Sequence, residues 1–310
     1  MKLPKNLFTL VSCLALGAAF AVGAAGQVPT TGAGDAVADA RKLTAAGKVG
    51  EAIEAFRRAI EANPDRWDAH YGLGVALDLD GAYEEARKHL QKAVELAPEA
   101  SRQQALTGMA VSYAFESKPD EAARYYKQIY DERVGAKTYW TAGEAANALG
   151  RIYLESGDTD KALEWYRKGY EAAKQQPELK PEQMDLAEMR WHNAQARIDA
   201  RRGQADSARK HVGEARKLME KGTNPDQAEF MPYLEGYVAL HTGRPEDAVA
   251  QLQKGNMNDP FVLMLLGQAC EKQGNDAKAQ EYYRKILAMY GHNINNAFAR
   301  PVAKSKARSG

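Results

Sequence analysis

Between residues 35 and 290, apolar side chains recur every three or four positions, the period at which a helix buries one face and wets the other. In the stretch 47–64 the apolar series is Ala52, Phe56 and Ala59, closed by Pro64; in 81–98 it is Ala86, Leu90 and Ala93, closed by Pro98. Each member of the second series lies 34 residues after its counterpart, so the two stretches are copies of one unit. Gly47, Gly81, Gly157, Gly203, Gly243 and Gly274 fall between helical runs, where a residue that accepts positive φ ends a helix cleanly. Pro64, Pro98 and Pro260 mark the ends of second helices, because the residue before proline avoids the α region. No alternating β-branched run of strand length follows the N-terminal segment. The pattern predicts an all-α chain of paired helices.

Further copies can be followed along the chain. Leu73-Gly74, Leu77 and Gly81 precede Ala86, Leu90, Ala93 and Pro98; Leu149-Gly150, Tyr153 and Gly157 precede Ala162 and Tyr166. Gly236, Ala239 and Gly243 precede Ala248, Leu252 and Pro260; Leu266-Gly267, Cys270 and Gly274 precede Ala279, Tyr283 and Ile286. Weaker copies hold Met109-Ala110, Tyr113, Ala122, Tyr126 and Ile129, then Gly203, Ala208, Val212 and Ala215. With its Trp67 opening, this pattern resembles the tetratricopeptide repeat family. The resemblance implies a right-handed α-solenoid of about seven helix–turn–helix units over residues 35–290, in an exported bacterial protein. Spacing departs from the period after Ala86, with steps of 36, 40, 46 and 40 residues to Ala122, Ala162, Ala208 and Ala248. The longest interval holds Pro177 and Pro181, and reads as two lengthened helices about a proline turn.

The N-terminus has another logic. Lys2 and Lys5 precede an apolar run from Leu7 to about Val22, then Gly23, Ala24, Ala25 and Gly26, the order of a secretory signal over residues 1–26. Two alternatives remain: an uncleaved membrane anchor, and a lipoprotein tethered through Cys13 of Leu10-Val11-Ser12-Cys13. Residues 27–34 form a flexible leader, and 291–310 a capping segment with a basic tail, loose from Pro301 and carrying Arg300, Lys304, Lys306 and Arg308. The expected location is the periplasm or the exterior after cleavage, or a membrane surface if the segment is kept or lipidated. Loss of Cys13 leaves Cys270 alone, so no internal disulfide supports the fold.

Net charge of +1 gives no electrostatic reason to expect nucleic acid. The six histidines are dispersed, with none at i, i+4 from another, and no zinc-ligand spacing, nucleophile elbow or phosphate loop occurs. Cys270 holds a core position of its unit. No cofactor, metal or catalytic residue is expected, and the array leaves no stretch of domain size for an enzyme.

What the resemblance implies instead is a concave groove lined by first helices that binds a protein or peptide. The groove positions it assigns are Asp68, Tyr71, Val75 and Asp78 in the second unit and Glu144, Asn147, Arg151 and Leu154 in the fourth. In the sixth they are Phe230, Tyr233, Tyr237 and Leu240; in the seventh, Phe261, Met264, Gln268 and Glu271. In the fifth they are Arg190, Asn193 and Arg197, which repeats the Asn147/Arg151 pairing. A one-residue shift there, which the stripe Trp191, Ala194 and Ile198 also fits, turns those arginines elsewhere. Asn pairs with peptide backbone and Arg holds carboxylates in a two-point grip. The candidate site is therefore Asn147, Arg151, Arg190, Asn193, Arg197, Tyr233, Tyr237 and Gln268, and its ligand an acidic segment or a free C-terminus. The alternative role is a component of envelope or outer-membrane assembly. Oligomeric state is left open.

Overall fold

The computed structural model describes residues 36–307, and every regular element among them is helical. Seven antiparallel pairs follow one another: α1 (Ala36–Ala45) with α2 (Val49–Ala62), α3 (Trp67–Asp80) with α4 (Tyr83–Leu96), α5 (Glu99–Phe115) with α6 (Pro119–Gly135), and α7 (Tyr139–Ser156) with α8 (Thr159–Lys174). Then come α9 (Pro181–Arg201) with α10 (Ala205–Glu220), α11 (Met231–His241) with α12 (Pro245–Leu252), and α13 (Pro260–Lys272) with α14 (Asp276–Leu287), before a last helix, α15 (Ile294–Lys306). The expected signal segment, leader and Cys13 lie outside the described residues. No described helix is long and apolar enough to cross a membrane.

Second helices bury one stripe. In α4 only Ala86, Leu90 and Ala93 are buried, the residues whose period marks the repeat. First helices are covered on several sides, and α13 buries ten of its 13 residues. Six glycines expected between helices have φ between 73° and 103°. The third unit has no glycine at that turn; Ser117 takes the conformation instead, at φ 56°, which is why this copy is weak in sequence. Small residues also let helices approach: a Cβ on Gly150 would stand 2.8 Å from the Tyr166 ring. The irregular interval contains the 21-residue α9, and a 3-10 turn over Pro225–Phe230 leads into α11.

The C-terminus departs from expectation. Pro301 does not end the ordered chain; α15 runs through it to Lys306 and packs on α5 as well as on α13 and α14. The loop before it reaches further. His292 Nε2 lies 2.8 Å from Asp78 Oδ2, with side chains 4% and 0% exposed, and Ser112 donates to the other Asp78 oxygen at 2.8 Å. The Tyr290 ring lies against Gly47, where a Cβ would come within 2.5 Å of it. Ala297 is buried in the core of the first units, with Tyr290, Ile294 and Phe298 packed on it. Arg300, expected in a loose tail, is buried and donates to the carbonyls of Leu287 and Met289. The segment after α14 thus joins the seventh unit to the first three.

Candidate binding face

The eight candidate residues fall into three adjoining places on the first helices. Asn147 and Arg190 line a small cleft with Trp140, Tyr166 and Trp191. Arg190 donates to Glu144 at 3.5 Å and lies 5.5 Å over the Trp140 ring. Burial pushes the Glu144 carboxyl up and the Arg190 guanidinium down, each against the attraction of the other. This pair is already matched in charge. Asn193 is half-buried on the same helix.

The second place is the centre of the face. Helix α9 buries members of both competing stripes: Ala194 and Ile198 enter the core beside Tyr166 and Arg197 is only 7% exposed, while Arg190, Trp191 and Asn193 are half-buried. Arg197 Nη2 donates to the Tyr166 hydroxyl at 3.0 Å. Burial raises the pKa of Tyr166 and Tyr233, with Arg197 and Arg151 opposing it in both, so the two guanidiniums face the same pair of hydroxyls. Tyr237 is fully buried and donates to Glu155 at 3.3 Å. Arg151 stacks over Phe261 at 4.7 Å and over Phe298 of α15 at 5.7 Å. Among the described residues neither Arg151 nor Arg197 has an ion-pair partner, and the Nε of each is buried without a hydrogen bond. The two cations have no carboxylate within ion-pair distance; Glu155 acts on Arg197 and Asp259 on Arg151 from further off, and the phenol hydroxyls between them complete a basin with guanidinium donors left over.

Gln268 belongs to the third place, a cavity of about 190 Å³. One wall is apolar, from Ile152, Phe261, Met264, Phe298 and Val302; Lys118, Glu155, Arg201 and His241 supply the polar side. Burial, with Arg201 and Lys272 beside it, holds the His241 pKa down to about 4. Cys270 is buried, and burial pushes its thiol up.

Sequence reasoning missed a histidine pattern. His70 faces His89 with Nδ1 atoms 3.0 Å apart, and His192 faces His211 at 2.9 Å. Each pair spans the two helices of one unit at a spacing of 19, a signal present in the sequence. Ring centres stand 5.3 and 5.2 Å apart. That is about the nitrogen separation plus the two ring radii, so the nitrogens point straight at each other. A shared metal needs lone pairs converging on a third point; in-line nitrogens make an N–H···N hydrogen bond. His70 Nε2 donates to the Pro64 carbonyl at 2.9 Å, which leaves its Nδ1 to accept from His89. No group of three or more metal-ligating side chains occurs among the described residues.

Two family models described as tetratricopeptide repeat match the chain, one over residues 37–101 and 233–294, the other over 101–175. The interval left between them holds the long α9 and the 3-10 turn. No curated protein sequence matches. Among solved structures, a tetratricopeptide repeat protein from Parabacteroides merdae superposes with a TM-score of 0.50 at 13% identity, covering 87% of this chain and 97% of its own. Aspartyl phosphate phosphatase F from Bacillus subtilis gives a TM-score of 0.55 at 12% identity, covering 81% of this chain and 68% of its own. At such identities the likeness is one of fold.

Proposed function

Since the chain belongs to the tetratricopeptide repeat family, we propose that it is a non-catalytic scaffold of the cell envelope that holds an acidic or C-terminal segment of a partner protein against Arg151 and Arg197. The observation that carries this reading is the basin itself. Neither of its two guanidiniums has a carboxylate at ion-pair distance, while Arg190 nearby has Glu144. A partner's carboxylate would accept first from Arg151, the more exposed of the two, and from Arg197 where its largely buried edge meets the basin, with Tyr233 as a further donor. Gln268 extends the face toward the cavity, while Tyr237, fully buried, offers no surface to a partner. The envelope location rests on the signal-like N-terminus.

The test is fluorescence anisotropy with a labelled Asp/Glu-rich peptide and its Asn/Gln counterpart. Hydrogen bonds to a charged group contribute about 1.5–3 kcal/mol, so Arg151→Met and Arg197→Met should each weaken the acidic peptide by roughly ten- to a hundredfold. The neutral peptide should bind weakly to all. Equal affinity of wild type and a folded double variant for the acidic peptide would refute the basin as the site. Sequencing the N-terminus of the exported protein tests location: a start near Gln27 supports cleavage, and one at Cys13 supports lipidation.

A further inference from the structure

The helix α15 occupies the same face as the basin, and its seat there is imperfect. Phe298 covers the Arg151 guanidinium, together with Phe261. Beside that contact lies the 190 Å³ cavity, with Ala297, Phe298 and Val302 of α15 as one of its walls. Repeat cores pack closely, whereas this cleft opens to solvent and leaves one flank of α15 without a close neighbour. Polar atoms agree. Asn295 Oδ1, Asn296 Oδ1 and Arg300 Nε, all on this 13-residue helix, are buried with no hydrogen-bond partner, as is Arg151 Nε beneath it. Pro301 removes an amide donor from the middle of the helix.

The segment is nonetheless held together as one piece. Arg300 donates to the carbonyls of Leu287 and Met289, and Asn296 to those of Met289 and Gly291, so helix and loop are tied to each other. Its polar attachments to the array are His292 to Asp78, Asn295 Nδ2 to Asp259 Oδ2 at 2.8 Å, and Lys306 to Glu271 and Gln280; its apolar ones are Tyr290 on Gly47, His292 on Phe115, Phe298 on Phe261 with ring centres 6.1 Å apart, and the buried Ala297, Ala299 and Ala303.

We infer that the segment from Ala288 to Lys306 is a latch, an intramolecular occupant of the binding face that swings away from α5 and α13 to admit the partner. This rests on the basin being the partner's site. With the latch closed, Phe298 shields one of the two arginines, and only the fraction of molecules with it open binds at full strength. Binding and latch opening are then the same equilibrium seen from two sides.

Two measurements on the full chain test it. In the first, the labelled acidic peptide is titrated into wild type, His292→Ala and Phe298→Ala. Both substitutions remove a latch attachment and leave Arg151 and Arg197 in place. Each should tighten binding by roughly tenfold or more, as the open fraction rises; unchanged or weaker binding by folded variants overturns the latch. The second is hydrogen exchange of the free wild type at several low denaturant concentrations. Amides of 294–306 should open in a sub-global step with weak denaturant dependence, while those of α13 wait for global unfolding. Exchange of both helices through the global step overturns the latch whatever the peptide does. If α15 opens alone and no acidic peptide binds wild type or variants, the basin reading fails and the mobile helix stands.

Discussion

His241 offers the sharpest test of how this face is built. Its folded pKa of about 4 lies below the ordinary 6.5, because burial and the neighbouring Arg201 and Lys272 oppose a further charge. The unfolded chain therefore takes up the proton first as pH falls. Stability from the neutral ring is fully present above 6.5 and is lost as pH drops toward 4. At about 1.4 kcal/mol for each pKa unit between the two states, the loss is about 2 kcal/mol by pH 5 and roughly 3 kcal/mol once both states are protonated. The assay is urea unfolding at about pH 7.5 and about pH 5, for wild type and His241→Phe. Phenylalanine keeps an aromatic ring beside Tyr237, 4.4 Å from the histidine ring centre, and cannot titrate. All other groups are common to the two proteins and cancel in the difference. With an m-value of ~3 kcal/mol/M, wild type should lose about 0.7 M more in midpoint than the variant. Parallel losses would refute the claim that His241 is held neutral by burial.

Other expectations follow from single positions. Ser117→Gly should raise stability by about 0.5–1 kcal/mol in thermal or urea unfolding, because φ 56° suits glycine. Gly47→Ala forces a side chain into positive φ and against Tyr290, and should cost roughly 2 kcal/mol while speeding amide exchange in α15. Gly150→Ala should cost about 1–3 kcal/mol, since Tyr166 must leave its place against α7. His89→Ala leaves His70 Nδ1 without its donor, and should cost about 1–3 kcal/mol near neutral pH.

The parts of the fold legible in the sequence are those each unit fixes by itself. Ala86, Leu90 and Ala93 declare a helix face, and Gly81 with φ 103° declares a turn, whatever the rest of the chain does. Ser117 takes the same conformation without the residue type that signals it. The histidine pairs were legible in principle, but only once the unit was laid on itself and both members seen at matching positions. Arg197 shows the limit for the site. Its sequence neighbours place it on a first helix, but burial to 7% exposure depends on α7, α8 and α11 closing around it. The return of α15 was least legible, since a non-repeating segment has no period to reveal its neighbours.

That return changes the order in which the molecule can be completed. In an open array each unit needs only the one before it, so folding can keep pace with synthesis from the N-terminus. Here Asp78, fully buried beside Ser112, finds its second partner only in His292, 214 residues later. At ~5–20 residues per second the ribosome needs roughly ten to forty seconds to supply it. A chain that stops short at the end of α14 leaves that carboxylate lacking its histidine and the faces of Gly47 and Phe115 uncovered. Only full-length products reach the finished state, and truncated ones present a defect in the first units made, where proteases and chaperones meet the chain soonest.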